Sequence, residues 1–207
     1  MFHVKHEGWP EVAAKLGVSL PDRADEQLDA YDELLRRYAV PRGMVGSGDV
    51  ERLRERHISD GLRGAPFLAA RSTVVDLGSG AGLPGIPLAV VRPDIAMTLV
   101  EARRSRAAFL ELAVDTLELP GVHVVAARVE DLDERFQACV ARAFAPLRET
   151  WNVAERLLDP SGTLLYWGGK ELTETALVLP GTRATIAANP PTSALAEAGP
   201  IVIMTRQ

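Results

Sequence analysis

The sequence has a single cysteine, Cys139, which excludes an intramolecular disulfide framework and a cysteine-rich zinc site and suits a reducing compartment. It has no apolar run approaching the roughly 20 residues that a membrane-spanning helix needs, so no membrane partner is expected. The opening MFHVKHEGWP lacks the apolar stretch of an export signal, and a cytoplasmic location is the expectation. There is no net positive charge either: the formal charge is −5, which counts against a protein that coats nucleic acid by bulk electrostatics. His3, His6 and His123 have no partners at zinc spacing, so no metal is expected. What remains is ordinary: 207 residues, 47% hydrophobic and 25% charged, enough for one domain with a sizeable core and an appendage. Oligomeric state is left open, with a monomer favoured.

The charge is unevenly distributed. Eight arginines lie between 36 and 71 (Arg36, Arg37, Arg42, Arg52, Arg54, Arg56, Arg63 and Arg71) against the four acids Asp49, Glu51, Glu55 and Asp60. A second cluster is Arg103, Arg104 and Arg106. Each arginine taken singly reads as part of a solvated helix face; together they predict a local basic rim.

Two regions follow from the hydrophobic pattern. Residues 1–70 read as a helical, substrate-side extension. Asp22 is placed to cap a helix carrying Leu28, Tyr31, Leu34, Leu35 and Tyr38 at three-to-four spacing. VPRGMVGSGD breaks that helix, and a second is predicted from Val50 through His57 with Ser47 or Asp49 as cap. Residues 71–207 alternate strand and helix. The strands are expected at 73–77, 96–101, 122–127, 138–143 and 162–167, with helices at 84–91, 104–118 and 147–158. TRATIAA and PIVIMTR, at 182–188 and 200–206, have no room between them for a crossover helix and should pair antiparallel. The fold class is therefore α/β: five parallel strands plus an antiparallel C-terminal pair, which resembles the Rossmann-like class I methyltransferase sheet.

The chemistry centres on VVDLGSGAGLPGIPLAVVRPD, residues 74–94. Two glycine registers compete there. Gly78, Gly80 and Gly82 read G-x-G-x-G, whereas Gly80, Gly82 and Gly85 read G-x-G-x-x-G, the dinucleotide fingerprint. Asp76 argues against a pyrophosphate, because a carboxylate repels it and instead favours a sulfonium and an ammonium group. Pro84 suits the first turn of a helix that begins after Leu83. Glu101 ends the second strand at the offset of a ribose-binding acid, which S-adenosylmethionine and a nicotinamide dinucleotide share. Glu130, after the third strand, is where an adenine amino group could be met. Each acid alone reads as a solvated loop carboxylate. Asp76, Glu101 and Glu130 at three successive strand ends form the more specific pattern.

RERHISDGL (54–62), the 74–94 stretch, RVEDL (128–132) and ARAFAPL (141–147), in that order, resemble the bacterial 16S rRNA guanine-N7 methyltransferases, the RsmG or glucose-inhibited division protein B family. The resemblance runs from about residue 28 to 170. It implies S-adenosylmethionine as cofactor and, as partner, 16S rRNA or the small ribosomal subunit, methylated at N7 of a guanine in the decoding-region loop. Matched by motif, Gly78 and Leu83 would line the methionine end; Gly80, in the same loop, is a further candidate cofactor-binding residue. Val129 and Glu130 would meet the adenine, and Arg142 would face cofactor and methyl transfer. Arg56 and His57 match an Arg-His pair on the substrate side. The chain departs from the family at YAVPRGMVGSG, where an Asn-Leu-Thr segment is usual, and at Gly168-Gly169-Lys170, where a Lys-Gly pair is shifted.

Guanine N7 carries a lone pair and no proton, so its methylation needs placement and not a base. The sequence fits that requirement. Cys139 sits in an apolar strand as a buried thiol would, and Arg142-Ala143-Phe144 stands where adenine-N6 enzymes carry Asn-Pro-Pro-aromatic. Asn189-Pro190-Pro191-Thr192 reads as a turn. Arg142 and His57 are the candidate catalytic residues, with a core or capping histidine as the competing reading for His57. RNA contact is assigned to Arg52, Arg54, Arg56 and His57 on one side, Arg103, Arg104 and Arg106 on the other, and Lys170. Three other readings stay open: a same-fold methyltransferase acting on another RNA or a small molecule, a non-catalytic RNA-binding protein with a nucleoside pocket, and, weakest, an NAD-dependent oxidoreductase.

Overall fold

The computed structural model describes residues 7–187, 195 and 198–207. The expectations for His3, His6 and the Asn189–Thr192 turn fall outside these residues.

Seven strands form one sheet: β1 (Thr73–Leu77), β2 (Ala96–Val100), β3 (Val122–Val125), β4 (Phe136–Arg142), β5 (Leu158–Trp167), β6 (Thr182–Ala187) and β7 (Ile201–Arg206). Their spatial order is β3-β2-β1-β4-β5-β7-β6. The first five run parallel, and β7 pairs antiparallel with both β5 and β6, as the hydrophobic pattern predicts. β5 begins four residues earlier than expected, because the β4–β5 ladder carries a register shift between Phe136 and Ala138 and takes in Leu158.

The crossovers are α4 (Gly85–Val91), α5 (Arg104–Thr116) and α6 (Leu147–Leu157), preceded by α1 (Trp9–Leu16), α2 (Ala24–Leu34) and α3 (Ser59–Leu62). The two-residue period of β1 divides its side chains between two cores. Val74 packs among residues of α2, α4 and α5, and Val75 and Leu77 pack among residues of α6. By parity Asp76 belongs to the α4 side, where an acid is tolerated only with a partner. The N-terminal helices share that core: Trp9, Leu28, Tyr31 and Leu35 are buried in the same cluster as Met97 and Leu99.

Three local expectations are corrected. Arg23, in the left-handed region at φ 67°, precedes α2, and no side chain caps the helix, so Asp22 is not its cap. The second helix is a graded run, a 3₁₀ segment Ser47–Arg52, a π-helical segment Leu53–Ile58 and then α3. It starts after Gly46 without a side-chain cap, and Asp49 turns instead to Arg56 and His57. Pro84 is the residue before α4, not its first, and the Leu83–Pro84 peptide is cis.

Candidate active site

The parallel strands change direction of succession between β1 and β4, the place where open α/β sheets bind ligands at their C-terminal ends. A cavity of about 490 Å³ opens there, within the range of small-molecule sites. Its floor is the loop after β1. Gly78, Gly80 and Gly82 have φ of 65°, 59° and 90°, conformations that side-chain-bearing residues rarely adopt. G-x-G-x-G is thus the register the backbone uses. Gly85 has ordinary φ and is required for packing: a Cβ there would lie 2.4 Å from Leu99 Cδ2 and 2.6 Å from Asp76 Oδ2. At Gly80 a Cβ would meet only Gly78 O at 3.8 Å and Arg106 Nη1 at 4.0 Å, so the bare backbone keeps that part of the floor open.

The acids support this loop. Asp76 is 1% exposed; its Oδ2 accepts the Gly85 N–H at 3.0 Å, fastening the start of α4, and its Oδ1 has no partner. It lies beneath the floor, outside the cavity wall. Glu101, also buried, accepts the Gly80 N–H at 3.1 Å and the Arg103 N–H at 2.8 Å, so one carboxylate ties the loop to the start of α5. From the other side the buried Tyr31 hydroxyl donates to Ala81 O at 2.7 Å, anchoring the loop to α2. Val129 is buried and Glu130 exposed on a 3₁₀ turn that Arg156 pins by donating to Val129 O and Leu132 O. That turn is at the expected strand end but outside the cavity wall.

Burial pushes the Asp76 carboxyl up to about 7, partly opposed by the Gly85 N–H and the Arg142 charge. Because the folded value lies above the unfolded one, this group favours folding fully below pH about 4, and the contribution is lost as pH rises through 7. Asp76→Asn mimics the protonated carboxyl and keeps an acceptor for Gly85. Its stability relative to wild type is expected to rise between pH 5 and pH 8, by a few kcal/mol at most. Denaturant titrations at the two pH values read this, and a gap independent of pH would contradict it.

The rest of the lining is cationic: Arg52, Arg56, Arg106, Arg142 and Lys170 stand there, with His57 and Asp60. Arg142, at the end of β4, contacts His57 O and Asp60 Oδ2 at 3.4 Å each and His57 Nδ1 at 3.3 Å. These distances are long for hydrogen bonds, so the guanidinium is steered more than locked. A guanidinium only donates, so Nδ1 of His57 is the acceptor and its proton sits on Nε2, 3.2 Å from Asp49 Oδ2 but off the line of a good hydrogen bond. Burial, followed by the Arg142 charge, holds the His57 pKa below its usual value, and Asp49 opposes them. His57 is therefore a neutral acceptor that orients Arg142.

The other assigned residues divide. Arg52, Arg56, Arg106 and Lys170 reach the cavity; Arg56 is paired with Asp49 at 2.8 Å, and Arg106 stands 3.9 Å from Glu101. Arg103 and Arg104 are exposed at the start of α5, outside the wall. Arg54 turns away: it pairs with Asp29 at 2.5 Å and lies 4.2 Å over the Trp9 ring, where it joins α1 to α2. Phe144 packs on Gly78, its Cδ2 2.7 Å from where a Cβ would stand, and belongs with the α6-side core. Cys139 is fully buried, and burial pushes its thiol pKa far up, consistent with a structural thiol.

Asp60 carries a role that sequence reasoning did not assign. Its Oδ1 accepts from the buried Arg63 at 2.6 Å, its carbonyl accepts from Trp167 Nε1 at 2.9 Å, and Arg63 also donates to Gly199 O at 3.0 Å. The signal available was its place in RERHISDGL and its three-residue spacing from Arg63.

The strand order and the glycine floor define the class I, Rossmann-like methyltransferase fold. Solved structures share this fold: a ribosomal protein L11 methylase from Lactobacillus delbrueckii subsp. bulgaricus (TM-score 0.57, 15% identity, 72% of this chain and 77% of that one) and a SAM-dependent methyltransferase from Aquifex aeolicus (TM-score 0.57, 16% identity, 80% and 98%). Residues 24–185 match the model of the GidB family, rRNA small subunit methyltransferase G, and the chain belongs to that family. Relatives named ribosomal RNA small subunit methyltransferase G include one from a Nocardioides species, 40% identical over 167 residues, covering 80% of this chain and 66% of that protein. Another, from Neisseria meningitidis serogroup C, is 37% identical over 155 residues, covering 74% and 73%. The chain thus spans just under two thirds of the Nocardioides relative's length.

Proposed function

We propose that this protein transfers the methyl group of S-adenosylmethionine to N7 of a guanine in small-subunit rRNA, in the decoding-region loop and in the cytoplasm. The observation that carries the reading is a single cavity joining the glycine floor to a cationic wall. S-adenosylmethionine held on that floor would supply a sulfonium methyl group, whose transfer to N7 would leave the C–S electron pair on sulfur and the positive charge on the alkylated guanine.

The protein's own residues then have five tasks. Gly78, Gly80 and Leu83 line the methionine end, and Glu101 and the Val129–Glu130 turn are at strand ends suited to ribose and adenine. Asp76 acts on the cofactor through the loop it fastens. Arg142, between floor and wall, orients the base. No residue is asked to remove a proton, because N7 has none; His57, with Nδ1 engaged by Arg142, is not required as a base. Arg52, Arg56 and Lys170 receive the RNA backbone, while Arg54 serves the fold. Since Arg56 is paired with Asp49, bulk attraction for naked RNA is modest, and shape must supply the rest. The assembled small subunit is therefore the preferred substrate form. Among the described residues no helix is long and apolar enough to cross a membrane.

One observation favours a second reading, a same-fold enzyme with a different RNA target. Met44, Val45 and Gly46, from the segment where the chain departs from the family, line the cavity. Incubating the protein with methyl-labelled S-adenosylmethionine and small subunits lacking the modification is expected to label 16S rRNA. Label on another RNA alone would favour the second reading, and no label on any RNA would reject both.

A further inference from the structure

We propose that Asp60 reads the Watson–Crick edge of the target guanine, accepting its N1–H and N2–H groups, and so makes the site specific for that base. The inference rests on the guanine-N7 reading above and names the residue that selects the base.

Asp60 is the one carboxylate among the described residues of the cavity wall, facing Arg52, Arg56, Arg106, Arg142 and Lys170. A wall built only to receive phosphate would gain nothing from a negative charge, which repels phosphate at short range. A carboxylate offers acceptors only, so its natural partner is a pair of neighbouring donors. Of the four RNA bases, guanine alone presents two adjacent donors on its Watson–Crick edge, N1–H and the N2 amino group. Adenine presents a lone pair at N1, which the carboxylate would repel. Single-stranded bases read on that edge are the usual route to sequence-specific RNA recognition.

The rest of the shell suits this task. The Asp60 side chain is 13% exposed, and its Oδ1 is held by Arg63, whose side chain is 3% exposed. Trp167 Nε1 fixes the Asp60 carbonyl. The carboxylate is therefore set in place before a base arrives. Among the described residues Oδ2 meets Arg142 at 3.4 Å, a long contact, so it retains capacity to accept stronger hydrogen bonds. Around guanine the order is N2, N1, O6, N7. With Asp60 on N2 and N1 and the adjacent Arg142 donating to O6 alone, N7 falls next in line. The same two residues thus select guanine and leave its nucleophilic nitrogen exposed.

The test uses full-length enzyme and two small-subunit RNAs, assembled into subunits, that differ at one position: the guanosine methylated by wild type, or inosine, which lacks only the N2 amino group. Wild type is expected to have kcat/KM about 10–100-fold lower on the inosine RNA, the effect of one lost hydrogen bond to a charged group. For Asp60→Asn the same ratio is expected to fall to within about threefold of one, because the charge that rewarded the amino group is gone. A ratio within one variant is independent of how much of it is folded. Where Asp60→Asn turns over too slowly, the affinities of the two RNAs give the same comparison. A wild type indifferent to inosine, or an Asp60→Asn protein that discriminates as wild type does, overturns the proposal. Absence of methylation of the guanosine RNA by wild type would instead reject the function on which it rests.

Discussion

Arg142→Ala is expected to lower turnover by about a hundredfold or more, the loss typical of a misplaced reactant, while the melting temperature falls by no more than about 4 °C. The asymmetry follows from its contacts. Arg142 ends β4, lines the cavity and makes three contacts of 3.3–3.4 Å, none short enough to hold much of the fold together. Its removal leaves Asp60 still bound by Arg63 at 2.6 Å and the Trp167 contact to the Asp60 carbonyl intact. What is lost is a cation of the cavity wall, the one proposed to orient the base. Thermal melts and single-turnover rates on the same preparation decide the matter. Activity and melting temperature falling in parallel would make Arg142 a structural residue.

Gly85→Ala is expected to do the reverse, acting first on stability. A Cβ at 85 would stand 2.4 Å from Leu99 Cδ2 and 2.6 Å from Asp76 Oδ2, both in a packed interior. Relief requires the buried Leu99 and Asp76 side chains to shift or α4 to move away from β1, and a shift of Asp76 or of α4 stretches the Asp76 bond to the Gly85 N–H. Overpacking of this kind costs about 2–3 kcal/mol, which for a chain of this size lowers the melting temperature by roughly 5–10 °C. Cofactor affinity should fall with it, since α4 carries one side of the loop. Gly48→Ala is the control: it is exposed, a Cβ there meets nothing within 4 Å, and the change should stay within about 0.5 kcal/mol. Equal effects of the two substitutions would mean that the close approach at Gly85 carries no strain.

These two positions also mark what was legible in the sequence. The strands were readable because Val74, Val75 and Leu77, or Met97, Leu99 and Val100, bury both faces of a parallel sheet and so form short apolar runs. The glycine loop was readable as a loop, but its register was not, because φ distinguishes Gly82 from Gly85 and the letter does not. Short-range rules erred where tertiary contacts recruited the residue. Asp49 looked like a cap and serves Arg56 and His57; Arg54 looked like part of the basic rim and stacks on Trp9. Asp60 was hidden for a different reason. Its partners Arg142 and Trp167 lie 82 and 107 residues away in sequence, and only the sheet brings them together. The acids are intermediate: Asp76 and Glu101 stand at the strand ends where they were expected, bind the backbone of the loop there, and lie outside the cavity wall.

The central claim is the atom methylated. Small subunits lacking the modification, incubated with the protein and S-adenosylmethionine, should yield 16S rRNA whose nuclease fragments carry one added methyl group. Mass spectrometry of those fragments is expected to assign it to guanine N7 in the decoding-region loop. A methyl group on any other atom, or none on the RNA, would contradict the account.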